Sequence, residues 1–241
     1  MMSMNFLNQY YVQSNDEQLS ITAEQASAFA KGVAHDFNPI HDPGSKRFCV
    51  PGDLLFAIAL EKYGLNSKMS FRFLNLVSAD LPLHYPQVET SDEEVEIDVV
   101  CDQSKPILGI SFSGECSKSA SKIEQVLRNY VKFSGQNFPH ILVPLMEKHN
   151  VMINPQRPLV IYDSMSFEFE RMDFDELEII LAETSLEVEG RRGNTQLNFT
   201  FMGDGEKIGS GSKTLVMGGL REYEQEAIDK MCADYEASKQ A

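Results

Sequence analysis

Two stretches of this chain echo one another: MSFRFLNLVSADL, starting at Met69, and MSFEFERMDFDEL, starting at Met165. Ahead of each lies a helix-like run ending in Glu-Lys, Leu60-Glu61-Lys62 in the first copy and Met146-Glu147-Lys148 in the second. Behind each comes a strand pattern, a Gly/Ser/Lys-rich turn and another strand pattern: ILGISFSGECSKSASK in one copy, QLNFTFMGDGEKIGSGSK in the other. Three matches in one order point to an internal duplication, and a duplicated unit of one helix followed by strands restricts the fold to an α+β arrangement in which each helix is covered by sheet.

The elements follow from local chemistry. Thr22 with Gln25 three residues on is a capping-box pattern, and Ala26, Phe29, Ala30 and Val33 recur at helical spacing, so a first helix ends near Ala34. Leu54 to Leu60 is apolar almost all the way round; this second helix, with Asp53 as its expected N-cap and Gly64 as its stop, has to be wrapped by something else. Phe71 and Phe73, then Val95, Ile97 and Val99, alternate with polar partners as half-buried strands do, Ile107 to Phe112 reads as a further strand, and TSDEE around Asp92 reads as a solvated loop. Ile123, Val126, Leu127 and Tyr130 fit helical spacing, yet the duplication favours a strand over Ile123 to Phe133. The second copy's helix is expected over Phe138 to His149 with a kink at Pro144. The resulting division is residues 1–135, 136–220 and a terminal helical appendage over 221–241 with a thin stripe of Tyr223, Ala227, Met231 and Tyr235.

Charge and cysteine usage narrow the function. A net charge of -15 repels a phosphate backbone and speaks against nucleic acid. The four cysteines, Cys49, Cys101, Cys116 and Cys232, have no CxxC spacing, which suits neither a disulfide framework nor a structural zinc and fits a reducing cytoplasm. MMSMNFLNQYYVQSNDEQ has no basic region followed by an apolar core, so it does not read as a signal peptide, and no uncharged apolar stretch is long enough to span a bilayer.

The chemistry concentrates in Asp36-Phe37-Asn38-Pro39-Ile40-His41, followed by Pro51-Gly52-Asp53 at the mouth of the apolar helix. Asp36 and His41 can act as a general acid/base pair on one water, Asn38 adds a neutral donor and acceptor, and the amides around Gly52 can polarise a carbonyl with the helix dipole behind them. The second copy has no such turn before its helix, so one site per chain is expected. An Asx turn running into proline is the plainer reading of Asp36 and Asn38. His35-Asp36 and His41-Asp42 lack a third cluster that would complete a metal site. GDGEKIGSGSKT lacks the Gly-Lys-Ser/Thr of a phosphate loop and reads as a hairpin turn, and Cys49 reads as a small buried packing residue.

Asp36-x-Asn38-Pro39-x-His41 with Pro51-Gly52 entering an apolar helix resembles the hydratase motif of the MaoC-like, (R)-specific enoyl-CoA hydratases. The resemblance covers roughly Ala26 to Gly64. It implies a double hot-dog, in which antiparallel sheets each wrap a central helix, with Asp36 and His41 activating water, Asn38 supporting them, and Gly52 and Asp53 lining the substrate site. The family usually carries histidine where Pro51 stands, and eukaryotic double hot-dog hydratases carry the motif in the second half. Asp53 sets a carboxylate near the developing enolate unless, as N-cap, it turns toward the helix amides. The expected activity is hydration of a trans-2-enoyl thioester of coenzyme A or acyl carrier protein, with no metal or redox cofactor and no nucleic-acid or membrane partner, by a pseudo-dimeric monomer or a homodimer. A non-catalytic acyl-thioester binding protein and a thioesterase are the alternatives.

Overall fold

The computed structural model describes residues 6–88 and 93–239. Thr90 to Asp92 of the expected acidic loop lie outside the described residues. The strands are β1 (Val12–Gln13), β2 (Gln18–Ser20), β3 (Leu65–Phe73), β4 (Leu83–His84), β5 (Val95–Cys101), β6 (Pro106–Ser117), β7 (Val151–Met152), β8 (Val160–Phe169), β9 (Leu177–Glu189), β10 (Arg192–Gly203), β11 (Glu206–Gly218) and β12 (Arg221–Glu222). The α-helices are α1 (Ala23–Phe29), α2 (Gly52–Tyr63), α3 (Ala120–Gly135), α4 (Leu142–Lys148) and α5 (Gln225–Ser238).

The two expected sheets are the two halves of a ten-stranded antiparallel sheet, in the order β1-β2-β4-β5-β6-β3-β8-β11-β10-β9, while β12 and β7 form a separate ribbon. The halves meet where the repeated peptides pair with each other. Ser70 stands opposite Ser166, with Met69 opposite Phe167 and Phe71 opposite Met165, so β3 and β8 are related by a local two-fold at the two serines. The next strands out keep the relation: Ser70 pairs with Ser111 of β6, and Ser166 with Ser212 of β11. β6 therefore corresponds to β11. The matching of ILGISFSG with QLNFTFMG is corrected on this point, because QLNFTFMG lies in β10, one strand further out.

One face of this sheet carries the core. Met69, Phe71, Leu108 and Ile110 from the first half are buried in the same cluster as Met165, Phe167, Phe199 and Phe201 from the second. α2 lies in it, buried at every position from Asp53 to Leu60, as its unbroken apolar character requires. The second helix in that core is α3, which corrects the strand expected over Ile123 to Phe133: Ile123, Val126, Leu127, Tyr130 and Val131 form one buried stripe, and the Tyr130 ring lies 4.9 Å from Phe56 of α2 and 5.7 Å from Phe199. GECSKSASK therefore leads from β6 into α3, with no strand after it. The helix expected over Phe138 to His149 shortens to α4. Pro144 stands in its first turn, where no intrahelical N–H bond is needed, so the expected kink does not form. α4 packs in a smaller cluster with Leu197, Leu215 and Ile228.

Candidate active site

The site begins where α1 ends. Thr22 and Gln25 close the capping box, and after Phe29 the chain winds one π-helical turn over Ala30–Ala34 and leaves through His35 in the left-handed region, φ 53°. That reversal delivers Asp36 into a compact turn. Asp36 Oδ1 accepts from the Asn38 amide at 2.9 Å, and Asn38 Oδ1 accepts from the Ile40 amide at 3.2 Å, capping a short 3-10 turn over Pro39–His41. The Asx turn is present, and it brings the Asp36 and His41 side chains within reach of each other.

His41 is buried. Its Nδ1 lies 2.7 Å from the Cys49 carbonyl oxygen, and since that oxygen can only accept, Nδ1 carries a hydrogen. The other ring nitrogen, Nε2, lies 3.4 Å from Asp36 Oδ2. Burial alone would lower the imidazole's pKa, but the Asp36 carboxylate, the Cys49 carbonyl and the Asp53 charge outweigh it and hold His41 above its ordinary value. Cys49 is buried and donates its Sγ–H to the Val50 carbonyl; burial pushes its thiol up, in keeping with a packing role.

α2 starts at Gly52, with Pro51 as its N-cap, which corrects the expected cap at Asp53. A Cβ on Gly52 would lie 3.0 Å from both Phe73 and Tyr162, so the ring faces close over the backbone there. Asp53 turns away from the helix amides. Ser134 at the end of α3 donates its hydroxyl between Asp53 Oδ1 and Oδ2, 2.7 Å from each, and Lys213 of β11 donates to the same Oγ at 2.5 Å and to the Ser134 carbonyl at 3.2 Å. Burial pushes the Asp53 carboxyl up to about 6 against the pull of Lys213 and Ser134, and burial lowers the Lys213 ammonium against the pull of Asp53 and Asp36. Tyr130 and Tyr162 join hydroxyl to hydroxyl beside this network, and the Lys213 ammonium sits 4.2 Å from the Tyr162 ring centre.

These groups border a cavity of about 320 Å³. Asp36, Asn38, His41, Gly52, Asp53, Ser134 and Lys213 line it together with the polar Asn75, Asn137, Asp234 and Ser238, and much of the remaining wall is apolar, among it Leu142, Ile153, Val160, Leu215 and Met231. All five residues singled out from the sequence are therefore together.

Residues 4–226 match the family described as "Protein of unknown function (DUF3581)". The chain belongs to the DUF3581 family. Among curated proteins none matches its sequence. Among solved structures, it is similar to a proposed thioesterase II from Thermobifida fusca YX, at 7% identity and a TM-score of 0.51 over 90% of this chain and 98% of that one. It is similar also to a conserved hot-dog protein of unknown function from Alicyclobacillus acidocaldarius, at 7% identity and a TM-score of 0.50 over 88% of this chain and 97% of that one. At such identities the likeness is one of fold, and the fold of this DUF3581 protein is the hot-dog. A MaoC-like dehydratase aligns at 8% identity and a TM-score of 0.43, over 88% of this chain and 98% of that one, too distant to bear on the chemistry.

Four features of the DUF3581 site escape the sequence reading. Ser134 sat in a segment read as leading out of a strand. Lys213 falls in the stretch GDGEKIGSGSKT that reads as a turn, whereas the hairpin reverses at Asp204-Gly205 and Lys213 lies well inside β11. It is buried in phase with Leu215 and Met217, and a lysine in phase with an apolar alternation is the signal that could have found it. Tyr162 of β8 is a third, and no sequence motif singles it out. Tyr235 of α5, expected in an appendage, lines the cavity, and its ring packs edge-on at 6.1 Å against Phe37 of the Asp36–His41 turn and at 5.4 Å against Phe138.

Proposed function

We propose that this protein adds water, reversibly, across the double bond of a trans-2-enoyl thioester carried by coenzyme A or acyl carrier protein. The observation that carries the reading is the Asp36–His41 pair, 3.4 Å apart, set beside the free amides of the α2 N-terminus in the wall of a largely apolar cavity. Because Nδ1 is committed to the Cys49 carbonyl, Nε2 is the nitrogen left to act with the Asp36 carboxylate, 3.4 Å away, on one water. One takes its proton as the oxygen bonds to C3, and the pair returns a proton to C2. The charge that gathers on the thioester oxygen meets the Gly52 amide, which has no carbonyl partner within its helix. The apolar walls suit an acyl chain.

The test is a spectrophotometric hydration assay with short-, medium- and long-chain trans-2-enoyl thioesters. Asp36→Asn and His41→Ala are each expected to lose roughly 100-fold or more in rate. Full activity in both variants overturns the mechanism. Thioester hydrolysis is the second reading, favoured by the activity proposed for the Thermobifida fusca neighbour. It releases free thiol, whereas hydration leaves the thioester intact, so a thiol reagent in the same assay separates the two. Tight binding without either product leaves the binding-protein reading.

A further inference from the structure

We infer that Lys213, supplied by the second half of the chain, is a positioning residue for this site: acting across Ser134, it cancels the charge of Asp53 so that the amides opening α2 keep their pull on the thioester oxygen. The inference rests on the hydration reading. Asp53 follows Gly52 directly, and its side chain is 5% exposed. An uncompensated carboxylate there competes with a developing enolate for the same positive helix end, and in a water-poor site the competition is strong. Ser134 alone does not answer it, since a hydroxyl orients a carboxylate without neutralising it.

Lys213 does answer it. At 3% exposure it has no solvent to hold its charge, and its ammonium reaches the hydroxyl that Asp53 holds. Its other face rests on Tyr162, the ring that closes over Gly52, so the cation touches the packing that shapes the oxygen-binding position as well as the carboxylate beside it. The groups that face Asp53 are Lys213 from β11, Ser134 and Tyr130 from α3, Tyr162 from β8, and Asp36 and His41 from the turn. Of these Lys213 is the cation bonded to the hydroxyl that Asp53 holds.

Lys213→Met, Asp53→Asn and the double variant decide the matter, each assayed for kcat and KM across pH after urea unfolding shows it folded. Lys213→Met is expected to lower kcat roughly 10- to 100-fold at alkaline pH, where Asp53 is ionised without its cation, with KM little changed. Its kcat should recover as pH falls, because a protonated Asp53 carries no charge, a recovery that loss of packing would not give. The double variant is expected to recover much of the kcat that Lys213→Met loses. Wild-type kcat in Lys213→Met, or a double variant as slow as Lys213→Met, overturns the inference while hydration stands. A wild-type protein that hydrates no enoyl thioester overturns both. Should Lys213→Met not fold, Lys213→Gln takes its place: a double variant with Asp53→Asn that is faster than Lys213→Gln at alkaline pH supports the inference, and one as slow ends it.

Discussion

His41 is where opposing terms meet on a single proton. Burial disfavours the imidazolium, and Asp36, the Cys49 carbonyl and Asp53 favour it more, so the folded pKa stands above the unfolded one. A raised pKa means that the folded state binds the proton more tightly. The resulting stabilisation is whole below the unfolded value of about 6.5 and is lost as pH rises through the folded value. Urea unfolding of His41→Gln beside wild type is expected to show a larger stability gap near pH 5 than near pH 9; an equal or reversed gap would mean that Asp36 does not hold the imidazolium. At this scale the sequence was partly legible. Asp36, Asn38 and His41 sit within six positions, and their turn chemistry is local. Ser134 stands 81 residues from Asp53 and 79 from Lys213, and no local pattern reports a contact made only when three elements converge.

Among the elements, α3 shows what goes wrong when an inferred symmetry outranks a local signal. Ile123, Val126, Leu127 and Tyr130 carry helical spacing, and the helix they announce is present; the expected strand came from aligning GECSKSASK with the β10–β11 hairpin. The end of α3 is also where backbone meets backbone. A Cβ on Gly135 would fall 2.0 Å from the Ala34 carbonyl oxygen and 3.1 Å from the Asp36 amide nitrogen. Main chain cannot swing aside as a side chain can, so Gly135→Ala is expected to destabilise by about 1–3 kcal/mol or more and to displace the Asp36 turn. Chemical denaturation reads the first effect and hydration kinetics the second. A variant with unchanged stability and rate would show that the π turn yields. α5 carries a milder version of the same lesson: its few apolar residues read as a weak surface stripe because the cavity that Met231 and Tyr235 face is built from distant parts of the chain.

For the whole molecule, the main core is continuous across the halves, with Phe56 of α2 against Tyr130 of α3 and Tyr130 against Phe199 of β10. One core predicts one transition: tyrosine fluorescence and far-ultraviolet circular dichroism should report the same urea midpoint. Two separated midpoints would show that the halves unfold as independent units. The duplication was legible because its strongest copy, MSFRF against MSFEF, is the pair of strands that meets at the two-fold, where both peptides face the same constraints. The helices have diverged beyond such matching, with α4 much shorter than α2. The pairing of β3 with β8 leaves a further result. Each strand caps the hydrogen-bonding groups that the other would otherwise present to a passing chain, so the outermost strands among the described residues are β1 and β9. β1 spans Val12–Gln13 alone, and β9 lines its border with Glu178, Glu183, Glu187 and Glu189. A copy of this protein approaching β9 with its own β9 meets like charge, so the fold that joined two units into one sheet also discourages that sheet from growing by strand addition.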